Sequence, residues 1–168
     1  LNPNLRGSPH LLVAGGGPLE PGGSLYLDRS HPSAVDDCML VVMPQGDPRS
    51  LEQRQPLHAG LEEFLYVEAY RDVRLAEFPA RNELVPAQDG EPDQAMIAQV
   101  LDLSVDLGFE RVPPATWCAL LERGDAALVL YRRPESNDFS FQLGATDMDE
   151  LRRLTDLYRS QMSLRVLG

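Results

Sequence analysis

The chain has 168 residues, and its 15 basic and 26 acidic side chains leave a formal net charge of −11. A surface this negative repels phosphate backbones and anionic membrane surfaces, so nucleic acid is not an expected partner, and no apolar run approaches the roughly 18 residues a membrane-spanning helix needs, so insertion is not expected either. Every basic residue is arginine, so chemistry that needs a lysine ε-amine, such as Schiff-base formation, is excluded as well.

In chain order, residues 11–14 form a short apolar run closed by Gly15, Gly16, Gly17 and Pro18, which predicts a strand and a turn. Residues 24–28 predict a second short strand and 29–37 a polar segment. The apolar run 38–43 predicts a buried strand, stopped by Pro44, Gly46 and Pro48. Ser50 and Gln53 have the spacing of a capping box, in which each side chain satisfies the other's free amide, so a helix is expected there until Pro56 interrupts it. Leu57, Leu61, Phe64, Leu65 and Ala69 then fit one helical face. Residues 64–70 are taken as helix, although their aromatics and valine also suit a strand.

Residues 73–78 predict a strand. The Pro-rich stretch 79–92 predicts a long connection, either a functional loop or a seam between two lobes. Met96, Ile97, Val100, Leu101, Ser104 and Leu107 make the apolar stripe of a helix that ends at Gly108. Pro113 and Pro114 are expected to start a short helix carrying Trp117, Leu120 and Leu121, stopped by Gly124. Residues 126–131 and 139–143 predict a hairpin. The last helix is expected to open with a Thr146/Asp149 box. On it Leu151, Leu154, Tyr158 and Arg165 share a face, Leu157, Gln161 and Met162 lie beside them, and Asp149 pairs with Arg153.

These elements predict an α+β fold: a mixed sheet of about five to six short strands with three to four helices, and the C-terminal amphipathic helix packed on the sheet. One domain, 1–168, is expected, with lobes 1–78 and 93–168 if the connection 79–92 divides it. A start at Leu1 rather than Met suggests a piece of a larger bacterial protein, and two cysteines eighty positions apart suggest free thiols in the cytoplasm.

The candidate chemistry is sparse. Gly17, Gly22, Gly23 and Ser24 approach a phosphate loop, but glycine stands where that motif needs lysine. Glu20 and Pro18 break a dinucleotide fingerprint, so the segment is taken as a turn. Cys118, near a predicted helix start, is a candidate nucleophile if His58 or His31 serves as its base; beside Trp117 and Leu121 it equally suits a core. His31 with Asp36 and Asp37 lacks metal-ligand spacing, and no metal or cofactor is expected. Glu62 and Glu63 point to different sides of a helix, as solvated carboxylates do.

In composition and element order the chain is similar to small bacterial secretion chaperones and adaptor modules. It departs from them by opening with Gly- and Pro-punctuated strands rather than a helix. The expected function is a non-enzymatic protein–protein interaction or regulatory domain, adaptor- or chaperone-like. An acidic face that includes Glu62 and Glu63 would steer a basic protein partner, and Leu151, Leu154 and Tyr158 would supply contact area to that partner or to a second copy in a homodimer. The alternatives are a cysteine-dependent hydrolase or transferase using Cys118 with His58 or His31, and a small-ligand sensor with a pocket between the lobes.

Overall fold

A computed structural model describes residues 10–15, 23–34, 37–44, 55–87, 94–112, 117–132 and 139–167. The chain forms two compact units, Leu1–Leu65 and Tyr66–Gly168. The α+β class holds, and the strands divide between two antiparallel sheets.

The first unit carries strands β1 (His10–Gly15), β2 (Gly23–Ala34), β3 (Asp37–Pro44) and β4 (Gln55–His58), hydrogen-bonded in that order. The apolar run 38–43 becomes most of β3. It lacks polar alternation because both faces of the sheet are apolar. Leu25, Leu40 and Val42 gather with Leu27, Leu57 and Phe64, whereas Tyr26, Val41 and Met43 gather with Met39. The strand expected at 24–28 continues through the polar segment to Ala34. Inside it, fully buried Asp28 accepts the backbone N–H of Ser30 at 3.0 Å, which ties its carboxylate locally. Pro56, expected to interrupt a helix, lies in β4 at the end of the strand order, where a missing N–H breaks no inner ladder. The Ser50/Gln53 box and Gly16–Pro18 fall outside the described residues.

The second unit is built on a six-stranded sheet. Its strands are β5 (Ala80–Pro86), β6 (Glu110–Val112), β7 (Ala119–Arg123), β8 (Ala126–Arg132), β9 (Phe139–Ala145) and β10 (Leu164–Val166), in the order β10-β5-β9-β8-β7-β6. Helices α2 (Gln94–Asp106) and α3 (Met148–Gln161) cover one face. Ile97, Val100, Leu151, Leu154 and Tyr158 pack there on Leu84, Leu121, Leu128, Leu130, Phe141 and Leu143. The opposite face, through Leu120, Ala127 and Val129, receives Val67, Tyr70, Leu75, Phe78 and Cys118. Buried on both sides, residues 119–121 of β7 read as an uninterrupted apolar run, which explains why a strand stands where a short helix was expected.

Three features fix the helical layer. Gly108 ends α2 with φ +83°, and its N–H donates to the Val105 carbonyl, as the sequence predicts for a left-handed stop. The Tyr158 hydroxyl meets Ser104 Oγ at 2.7 Å, and Ser104 donates onward to the Val100 carbonyl at 2.6 Å, so α3 is tied to α2 inside an apolar core. Arg123 lies over the Phe109 ring at 4.9 Å, donates to the Leu107 carbonyl at 2.8 Å, and pairs with Asp125 and Glu150. It therefore joins the end of α2 to the start of α3.

Several local expectations are corrected. The N-cap of α3 is Asp147, whose carboxylate accepts from the N–H groups of Asp149 and Glu150, and not a Thr146/Asp149 box. Arg153 pairs with Glu150 at 2.6 Å, leaving Asp149 to Arg152. The helix stops at Gln161, so Arg165 belongs to β10. Within the stretch taken as a connection, residues 80–86 are β5. Residues 73–78, expected as a strand, are mostly helical, and this difference shapes the candidate site.

Candidate functional site

Helix α1 (Leu61–Ala69) continues without a break into a π-helical turn (Tyr70–Arg74) and a 3-10 turn (Leu75–Glu77). At its start, Glu63 Oε2 accepts the Ala59 N–H at 2.7 Å, occupying a backbone donor that the helix cannot use. The π turn is closed by Leu75 N–H donating to the Tyr70 carbonyl, five residues back. That extra residue resets which side chains face inward. Val67, Tyr70 and Leu75 are buried, spaced by three and then five, whereas an unbroken α-helix would turn Arg74 inward in place of Leu75.

The reset frees Arg74 to bond Glu77 at 2.6 Å and Glu122 at 3.1 Å and to lie over the Phe78 ring at 5.2 Å. The Tyr70 hydroxyl is 3.3 Å from the same Glu122 carboxylate. Burial, reinforced by that negative neighbour, pushes the Tyr70 phenol far above its ordinary range. Burial also raises the Glu68 carboxyl, against the opposing charge of Arg71, with which it pairs. Arg71 bonds Asp72 as well, at 3.0 Å, so its charge is compensated twice.

The same segment presents an apolar ridge outward. Tyr66, Ala69, Val73 and Ala76 follow one another at spacings of three, four and three, and all are exposed, Val73 at 65%. Their exposure, set against the burial of Val67, Tyr70 and Leu75, places them on the outward side of the segment. Asp72 and Glu77 border the ridge with exposed carboxylates.

Beside the ridge lies a groove of about 440 Å³. Arg71, Asp72, Leu75 and Ala76 line it from the helical segment. Arg81, Asn82 and Glu83 line it from β5, with Gln142 of β9 and Leu167 just past β10. The close approach of the helical segment to the sheet depends on Gly144. A Cβ there would lie 2.9 Å from Leu75 Cδ1 and 3.0 Å from Phe78 Cβ.

Comparison with protein-family models, with curated proteins and with solved structures finds no match. No helix among the described residues is long and apolar enough to cross a membrane.

The residues singled out from sequence are placed as follows. Glu62 is exposed at the start of α1, and Glu63 is buried as a backbone acceptor. Leu151, Leu154 and Tyr158 lie in the core between α3 and the sheet, each no more than 1% exposed, so the stripe on α3 is used inside its own unit. Cys118 is buried among Val67, Tyr70, Leu75, Phe78 and Leu120. His58, at the end of β4, packs edge-on against the Phe64 ring at 5.4 Å. His31 lies in β2. The ridge residues Tyr66, Val73 and Ala76 and the groove residues Arg81, Glu83 and Gln142 were not singled out by sequence. The one available signal was the loss of helical period after Tyr70, which a π turn produces.

Proposed function

We propose that this chain is a protein-recognition domain and that the outward side of residues 66–77 is its contact surface. The observation that carries the proposal is the exposed line Tyr66, Ala69, Val73 and Ala76 on a segment whose other side is anchored in the core by Val67, Tyr70 and Leu75. Anchoring matters because a preordered helix loses little conformational entropy when it binds. The partner is a basic amphipathic helix. Its apolar side covers the ridge, and its cations meet Asp72 and Glu77 within the field of a chain of net charge −11. The α3 stripe has no part in this contact, because it is already buried.

The test is site-specific photo-crosslinking of the full chain in its host cell, with the probe at Ala69, at Val73 or, as a control, at exposed Val105 on α2. The proposal expects one shared adduct from positions 69 and 73, mapping to a basic helical segment of the captured protein, and none from 105. Equal labelling at all three positions, or a shared adduct mapping to an acidic segment, contradicts it.

A further inference from the structure

We propose that the groove beside the ridge binds a free α-amino acid with an aliphatic side chain. This function is separate from protein recognition and does not depend on it. The argument starts from strand geometry. Successive side chains of a strand point to opposite faces, so Arg81 and Glu83 share one side of β5, about 6.6 Å apart along the strand. Ala80 and Leu84 point the other way into the α3 core, where Asn82 also bonds Thr155 at 3.0 Å. Gln142 stands directly opposite Glu83 in the β5–β9 register, while its neighbour Leu143 lies in that core, so Gln142 shares the side of Arg81 and Glu83.

The charges in the groove are not equivalent. Arg71 is neutralised by Glu68 and Asp72. Among the described residues Arg81 and Glu83 make no ion pair, although both line the same groove. A simple anion would gain Arg81 but meet Glu83; a simple cation would gain Glu83 but meet Arg81. The ligand that suits both ends carries both charges close together, as an α-amino acid does on a single carbon. Its carboxylate takes the guanidinium of Arg81, whose fork matches a carboxylate, together with the Gln142 amide. Its ammonium takes the Glu83 carboxylate. Leu75, Ala76 and Leu167 supply the apolar remainder of the wall for the side chain. The volume of about 440 Å³ falls toward the low end of the roughly 300–1,000 Å³ typical of ligand pockets, in keeping with a small ligand.

The test is calorimetric titration of the full chain with leucine, valine and methionine. Leucinamide, which lacks the carboxylate, and N-acetylleucine, which lacks the ammonium, complete the series. The expected result is saturable binding of at least one amino acid, with a loss of about tenfold or more on removing either charge. Arg81→Gln should bind the amino acid and its amide equally, and Glu83→Gln should bind the amino acid and its N-acetyl derivative equally, while circular dichroism stays unchanged. No heat from any of the three amino acids at about 10 mM would overturn the proposal. So would binding indifferent to either charge. Neither result bears on the crosslinking test of the ridge.

Discussion

Replacing Gly144 by alanine tests whether the helical segment depends on one missing side chain. The new Cβ would sit 2.9 Å from Leu75 Cδ1, 3.0 Å from Phe78 Cβ and 3.2 Å from Phe78 Cδ2. Ordinary carbon–carbon contact begins near 3.5 Å, so the shortfall is about 0.5–0.6 Å against two residues at once. Leu75 can rotate its methyl away. Phe78 Cβ is the root of its side chain and moves only with the backbone. Overpacking of this kind costs about 1–3 kcal/mol, and alanine recovers about 0.5–1 kcal/mol of chain entropy, leaving a net loss of about 1.3 kcal/mol at mid-range. In urea the midpoint should fall by about 0.5–1 M at unchanged slope, taking a slope near 2 kcal/mol/M. Leu75→Ala alone should cost about 2–5 kcal/mol, but less in the Gly144→Ala background, where the added methyl fills part of the space, with a coupling of about 1 kcal/mol. A neutral Gly144→Ala, or strict additivity of the two substitutions, would refute the close approach.

Tyr158→Phe removes the hydroxyl that meets Ser104 and should lower stability by about 0.5–1.5 kcal/mol in denaturant titration, because Ser104 retains the Val100 carbonyl. Burial lifts the Tyr158 phenol to about 12 and lifts those of Tyr70 and Tyr131 as well. The folded state therefore holds these protons at a pH where the unfolded chain has released them. Their contribution is complete below pH 10 and declines as pH rises toward 12, so unfolding midpoints should drop from about pH 10 upward, less steeply in Tyr158→Phe. Asp147→Ala leaves the Asp149 and Glu150 amides without their acceptor and should cost about 1 kcal/mol, whereas Thr146→Ala should change little; comparable denaturation losses from both would return the cap to Thr146.

The legible parts of this chain are those whose burial is one-sided or whose ends carry chemical markers. Helix α2 shows its stripe and its Gly108 stop, and α3 shows Leu151, Leu154 and Tyr158 at helical spacing. The β8–β9 hairpin is also as the sequence predicts. Strand β7 is not legible, because Ala119 and Leu121 serve one layer and Leu120 the other, which erases the period of two. Strand β5 is hidden by Pro79 before it, Pro86 at its end, and an inward Asn82 that reads as polar but is satisfied by Thr155. The candidate surface is hidden by the π turn. Once the inward spacing changes from three to five, the helical period is lost after Tyr70, and residues 73–78 are taken for a strand. The functional candidates therefore sit where the local pattern breaks, and only three-dimensional placement separates the outward Val73 from the inward Leu75.

The most direct test of the central claim, that residues 66–77 present an anchored contact surface, is peptide-resolved hydrogen exchange of the full chain, alone and with the basic helical segment identified by crosslinking. Slow exchange of residues 66–77 in the free protein, slowed further on complex formation while the exposed side of α2 is unchanged, is the predicted result. Fast exchange of that segment in the free protein, or protection confined to α2 or α3, would contradict the account.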